Sequence, residues 1–273
     1  MSLATAILQT LKYSDHFDFP LPIKELHTRL IGHETTRAIL IQNLAILRKK
    51  NQVEQTGSYY HLPGRQTLVA HRLTRAKLSI PQLALAKNRS SQLSFIPGVL
   101  AIYLTGSLAM TNSGADSDID LMIVTRPHKL WTTRLLLTLF TTLLGLRRTP
   151  YSTRNSGKLC LNLYLTPHSY LLPPHKRSLY TAYELIQAVP LYDPHDTRSS
   201  LLAANPWIRD FLPNFPLPTT TPSTIDHGRS AINLFERLAY HLQLLYMRPR
   251  LTREYITPDS AFFHPHDKSP KVE

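Results

Sequence analysis

A single cysteine, Cys160, in 273 residues leaves no intrachain disulfide and no cysteine-based zinc site, and it fits a reducing compartment. Acidic residues are the minority charge: 18 Asp and Glu face 31 Lys and Arg, a formal net charge of +13. Long apolar runs are missing as well. The most apolar stretch, Leu135 to Leu146, falls short of the roughly 20 residues a bilayer requires and follows Arg134, so it reads as a buried helix and no membrane span is expected. The opening residues lack a basic region followed by an apolar core and a cleavage site, so no secretory signal is read and a cytoplasmic protein is expected. No repeat recurs at solenoid periods. What remains, 42% hydrophobic and 18% charged residues, is the composition of an ordinary globular chain and excludes wholesale disorder.

The basic excess is unevenly spread. Residues 1–98 carry a net +8, residues 99–198 a net +4 and residues 199–273 a net +1. A polyanionic partner, DNA or RNA, is therefore looked for at the N-terminal end; general solubility is the plainer alternative. Residues 1–65 read as three short helices and a hairpin. Ala4 to Tyr13 ends at Asp18-Phe19-Pro20, Ile23 to Leu30 is short, and Thr35 to Asn51 places Ile39, Leu40, Leu44 and Leu47 at helical spacing. Val53-Glu54-Gln55 and Tyr59-Tyr60-His61-Leu62 flank the turn Thr56-Gly57-Ser58. That is the winged helix-turn-helix order, with Thr35, Thr36, Arg37 and Asn43 on the helix that would read DNA and Arg48, Lys49 and Lys50 near phosphates. Docking or dimerisation is the alternative use of such a unit.

Residues 66–97 read as a linking helix carrying Arg72, Arg75, Lys77 and Lys87, with Pro81 inside it. In residues 98–190, Val99–Leu104, Asp118–Thr125 and Leu159–Leu165 are apolar strands, and Leu130–Leu146 and Ser178–Ala188 are helices. The expectation is an α+β chain whose central part is a small mixed sheet flanked by helices. Residues 191–273 contain a proline-rich connector, Asn205 to Pro222, and a last helix. Asp226 would cap that helix, and Ile232, Phe235, Leu238, Ala239 and Leu242 would form its apolar side.

The chemistry sits where the first apolar strand ends. Gly106-Ser107 follows Leu104 at once, and after ten intervening residues comes Asp118-Ile119-Asp120, opening the next strand. A turn of helix begun at Gly106-Ser107 aims backbone N–H groups and a hydroxyl at one spot, which suits phosphate oxygens. Residues two apart on a strand share a face, so Asp118 and Asp120 point the same way, where a hard cation such as Mg²⁺ would offset their repulsion.

Apolar strand, Gly-Ser, ten-residue spacer, Asp-Ile-Asp and a second apolar strand together resemble the nucleotidyltransferase superfamily that includes DNA polymerase beta. The likeness is closest to its minimal nucleotidyltransferase domains and covers about residues 98–165. With the winged-helix-like start, the chain also resembles a group of bacterial and archaeal nucleotidyltransferase-domain proteins of unassigned substrate. The resemblance implies that Gly106 and Ser107 hold the phosphates of a nucleoside triphosphate. It implies that Asp118 and Asp120 bind Mg²⁺ or Mn²⁺, and that an acceptor hydroxyl takes the nucleoside monophosphate with release of pyrophosphate. Such domains place a third carboxylate on a neighbouring strand. Here Leu159, Leu161, Leu163 and Leu165 are expected on one face of that strand and Cys160, Asn162 and Tyr164 on the other, so Asn162 takes the carboxylate's place as third metal ligand. Glu184 is a possible substitute.

A nucleotide-binding protein without turnover, antitoxin-like or DNA-binding and regulatory, is the second expectation. Lys129 and Arg134, with Arg154 and Lys158, are candidates to meet the triphosphate; a solvated position is the alternative for each. Trp131, Tyr59 and Tyr60 are expected to pack, and His264-Pro265-His266-Asp267 has metal-ligand residue types but no recognised ligand spacing.

Overall fold

The computed structural model describes residues 1–149, 155–219, 234–250 and 254–263. The chain begins with α1 (Leu3–Asp15), β1 (Leu21–Pro22), α2 (Ile23–Thr28), α3 (Arg37–Lys49), β2 (Glu54–Thr56) and β3 (Tyr59–His61). Each long helix here starts on a hydroxyl. Ser2 accepts from the Thr5 N–H at 3.1 Å and Thr36 from the Ile39 N–H at 3.3 Å, satisfying amides the helix itself leaves open. Leu26, Leu30, Leu40, Leu44 and Leu47 close over Ile7 and Leu11 in a core of their own, and β1, β3 and β2 form a small antiparallel sheet beside it. Ile39, expected inside, is instead 46% exposed, and the buried stripe of α3 is Leu40, Leu44 and Leu47.

α4 (Thr67–Leu93) follows as one continuous helix through Pro81. Then come β4 (Val99–Leu104), α5 (Gly106–Ala109), β5 (Ile119–Thr125), α6 (Leu130–Leu143), β6 (Leu159–Leu165), α7 (Leu179–Gln187), β7 (Val189–Tyr192), α8 (Thr197–Ala203) and α9 (Ile208–Phe211). The described chain closes with α10 (Leu234–Met247), β8 (Tyr255–Ile256) and β9 (Ser260–Phe262). The fold is α+β, with a six-stranded mixed sheet in the order β7-β4-β5-β6-β9-β8. Among the described strand pairs only β5 and β6 run parallel. Pro190 is tolerated in β7 because that strand is an edge.

Both faces of the sheet are covered, which is why all six residues of β4 are buried. On one face Tyr103, Met122, Val124, Leu163 and Leu165 meet α7, α8 and α9. On the other, Ile102, Leu104, Ile119, Leu121 and Ile123 meet α4, α6 and α10. The proline-rich connector is not extended. Its prolines flank the short helix α9, and Trp207, Ile208, Leu212 and Leu217 in and around that helix are buried in the first of these cores, so apolar side chains between the prolines overrule the composition. The segment after Pro249, which shows little pattern as sequence, supplies two sheet strands. Asp226, Arg154 and the His264–Asp267 group lie outside the described residues.

α10 sits on α6 through polar contacts. Glu236, 5% exposed, accepts from the backbone N–H groups of Trp131 at 2.6 Å and Thr132 at 2.9 Å and from the Thr132 hydroxyl at 2.6 Å. A carboxylate at the first turn of α6 meets the positive end of the helix dipole. Glu236→Ala strips three donors of their acceptor in a buried place and is expected to cost about 3 kcal/mol. A lower urea midpoint at unchanged slope would show it.

Candidate functional site

β4 ends, and β5 and β6 begin, at the same edge of the sheet. Leu104 pairs with Leu121 across the antiparallel ladder, and Asp120 is level with Cys160 across the parallel one. Side chains at positions 118 and 120 therefore lie on the face opposite Ile119 and Leu121. Asp118 Oδ, Asp120 Oδ and Cys160 Sγ lie within 4.8 Å of one another, all three half-buried. Arg148 donates to Asp118 Oδ2 at 2.6 Å, and this carboxylate raises the guanidinium's pKa further.

Gly106 closes the site from β4. Its φ is +66°, and a Cβ built there would lie 2.4 Å from Asp120 Oδ2. Glycine is thus demanded twice, by the left-handed turn and by the approach of a carboxylate. Gly106 and Ser107 are exposed at the start of α5, whose first turn has no side-chain cap. The ten-residue spacer is pinned rather than loose. The Asn112 N–H donates to the Ser107 carbonyl at 2.9 Å, the Ser113 N–H to Ser79 Oγ at 3.3 Å, and Gln82 Nε2 on α4 to the Gly114 carbonyl at 2.8 Å. The linking helix thereby fixes the distance between the Gly-Ser turn and the aspartates.

The third position differs from the expectation. The pairing of β5 with β6 slips between Leu121 and Met122, which are level with Leu161 and Leu163, so Asn162 is an extra residue in a bulge. The bulge switches the strand's faces: Leu159 and Leu161 pack on one side of the sheet with Tyr164, Leu163 and Leu165 on the other. The four leucines do not share a face. Asn162 is buried. Its amide nitrogen donates to Asp120, and its oxygen accepts from the Cys160 thiol. The residue level with Asp120 is Cys160, which sequence reasoning left out of the site. Burial, reinforced by Asp120 and Asp118 and opposed by Arg148, pushes this thiol up to about 12, so at neutral pH it is a protonated neighbour of the two carboxylates.

Glu184 lies close by on α7. The Tyr180 hydroxyl donates to its Oε1 at 2.9 Å, and that phenol is pushed above its usual range by burial, by Glu184 and, more weakly, by Asp120. Glu184 also lines a small cavity against Thr105, Met122 and Phe262 on the same face as the aspartates.

Two expected phosphate contacts fall elsewhere. Lys129 packs beside Gly98, at the far end of β4 from Gly106, about 20 Å away at roughly 3.3 Å per strand residue. Arg134 is buried under α10. Its guanidinium donates to Gln243 Oε1 and stacks 4.5 Å from the Phe263 ring centroid, a structural role that leaves no group to offer a nucleotide. Lys158 is turned to the Gly145 carbonyl. Trp131 is fully buried, and its indole N–H donates to backbone carbonyls of Thr257 and Pro258. Tyr60 packs in the N-terminal core, and Tyr59 lies against the Arg72 guanidinium.

Of the residues expected to read DNA, Thr35 is held by a residue 179 positions further along the chain. Its N–H donates to Asn214 Oδ1 at 2.8 Å, and Asn214 Nδ2 donates to the His33 carbonyl. Asn43 donates to the Ile39 carbonyl and Arg48 to Gln55. The solvent side of α3 also carries Ile41 and Ile46, an apolar content that suits a protein surface better than a phosphate backbone.

The donor set fits a divalent cation: two carboxylates can bring hard oxygens to one point, with a softer sulfur beside them. Among the described residues no helix is long and apolar enough to cross a membrane. Comparison of the chain with protein-family models, with curated proteins and with solved structures found no match.

Proposed function

We propose that the chain is a nucleotidyltransferase, moving a nucleoside monophosphate from a nucleoside triphosphate to an acceptor hydroxyl with Mg²⁺ or Mn²⁺. The observation that carries this reading is the convergence of Asp118 and Asp120 on one point beside the Gly106-Ser107 turn. In it, Asp118 and Asp120 hold the cation, and the exposed backbone and hydroxyl at Gly106-Ser107 meet the terminal phosphates. The cation supplies charge neutralisation on the triphosphate when bound. Arg148 lies at the same spot and is free in sign to follow either Asp118 or a phosphate, since both are anions. Residues 1–65 form, in this proposal, a winged helix that positions a partner.

A second reading, nucleotide binding without turnover, is favoured by one feature: the residue level with Asp120 offers a protonated thiol where a third carboxylate would accept a proton. The test separates the two. The full chain is incubated with α-phosphate-labelled nucleoside triphosphates, Mg²⁺ or Mn²⁺, and pools of small hydroxyl compounds, RNA and protein. Label is expected to move to an acceptor, and Asp118→Asn is expected to stop it. Metal-dependent triphosphate binding with no product favours the second reading. Absence of both metal-dependent binding and transfer sinks the proposal.

A further inference from the structure

Arg148 already brings a positive charge to the pair of aspartates. Its guanidinium donates to Asp118 Oδ2 at 2.6 Å, so it takes an oxygen of a group proposed above to hold the metal. The backbone sets this approach. After α6 the chain runs beside the start of β6. The Leu159 N–H donates to the Leu146 carbonyl at 2.8 Å, and the Arg148 N–H donates to the Leu159 carbonyl at 2.9 Å. Position 148 is thereby fixed next to the residue that precedes Cys160. Lys158, which also lies at the start of β6, is turned to the Gly145 carbonyl, so the charge at Asp118 comes from Arg148.

The anchor is firm and the side chain is not. Arg148 is 46% exposed along its side chain, against 17% for Asp118. A guanidinium so placed can change partners without being stranded in a dry interior. It also meets a different carboxylate from the Gly-Ser turn. Gly106 lies against Asp120, and Arg148 lies against Asp118. A divalent cation and this guanidinium are rivals, since both are positive and both seek Asp118. A triphosphate alters the balance. It is an anion to which the planar fork of N–H donors can move when a cation takes the carboxylate.

We infer that Arg148 is an exchanging counter-ion, paired with Asp118 in the ligand-free chain and with the triphosphate once a cation is bound. The inference rests on the reading of Asp118 and Asp120 as the metal site. Its consequence is a positive coupling: the cation alone binds weakly, and the cation together with triphosphate binds well.

The test compares two probes on the full chain. Mn²⁺ alone is followed by the electron paramagnetic resonance of the free ion. Mn²⁺ with inorganic tripolyphosphate is followed by calorimetry, which presents the anion without a base. Arg148→Gln is expected to bind Mn²⁺ alone about tenfold more tightly than the wild type, and the Mn²⁺–tripolyphosphate complex at least about tenfold more weakly. The opposite signs separate exchange from damage, because a misfolded site loses both ligands. Arg148→Lys keeps the charge but not the fork. It is expected to match the wild type for Mn²⁺ alone and to recover only part of the tripolyphosphate affinity. Arg147→Gln removes the same charge one residue away, where the guanidinium acts on Arg134 and Tyr164 instead. It is expected to change neither affinity by more than about twofold.

Mn²⁺ bound no more tightly by Arg148→Gln than by the wild type overturns the inference and leaves the metal site standing. So does an undiminished hold on Mn²⁺–tripolyphosphate. The same pair of changes in Arg147→Gln overturns it too, because net charge then accounts for both. No Mn²⁺ on either the wild type or Arg148→Gln sinks the reading of the aspartates itself.

Discussion

Asp120→Asn is expected to lower nucleotidyl transfer by about a thousandfold or more, roughly 4 kcal/mol of transition-state stabilisation, and to abolish the stabilisation that a divalent cation gives the chain. The two effects have one cause. Asp118 and Asp120 are half-buried carboxylates facing one point, where Arg148 pairs with Asp118 and the Asn162 amide donates to Asp120. Two such groups repel in the absence of a cation and attract one strongly when it is present. The amide keeps the shape but removes a charge, so the metal loses an anionic ligand. The wild-type Tm should rise on adding Mn²⁺ and the variant's should not, by the mass-action link between binding and stability. Gly106 makes the substitution a fair probe, because the pocket holding this side chain has no Cβ to collapse onto it. An Asp120→Asn chain that keeps its transfer rate and its metal-dependent Tm would remove Asp120 from the site.

Much of this geometry is legible in the linear sequence because it depends on short-range rules. Val99–Leu104 and Leu159–Leu165 are legible as strands because short, mostly apolar runs lie between turn residues, and the structure keeps both boundaries. The parity of positions 118 and 120 needs only the two-residue repeat of a strand. The role of Gly106 is half-visible: a glycine at a strand end signals a close approach, but what approaches is Asp120's own carboxylate as well as any ligand.

The illegible parts depend on register or on distant partners. Leucines at 159, 161, 163 and 165 give no sign that Asn162 bulges out, since a bulge is decided by the pairing of β6 with β5 and not by β6 alone. Cys160 comes level with Asp120 because the ladder starts with Ile119 opposite Leu159, ahead of the bulge. Arg134 fits a phosphate contact in sequence, and only the fold shows Gln243, 109 residues on, waiting for it in the core. α10 misleads for the opposite reason: of its expected apolar side Ala239 is buried, Phe235, Leu238 and Leu242 are exposed, and Ile232 lies outside the described residues. Amphipathicity tells which side is apolar but not whether that side is turned to the chain's own core, and Glu236 and Gln243 decide the matter by hydrogen bonds to α6.

Cys160→Asp follows from that register and should reverse sign with metal. In the absence of a cation, a third carboxylate within 4.8 Å of two others is expected to destabilise the chain by about 2–4 kcal/mol, the scale of unit charges about 4 Å apart at an effective dielectric near 20. With Mg²⁺ the same change supplies a hard oxygen and a negative charge in place of a protonated sulfur that this ion does not favour. Mg²⁺ affinity is expected to rise at least about tenfold, and the Tm of the variant to cross from below the wild type to above it as Mg²⁺ is added. Asn162→Asp, at the position that sequence alone selects, should gain less, because its side chain is already spent on Asp120 and on the thiol and is buried away from solvent. Titration of Tm against Mg²⁺ for the two variants side by side therefore ranks the positions. A larger gain at 162 than at 160 would mean that the strand pairing across Asp120 is not the one that sets the metal site.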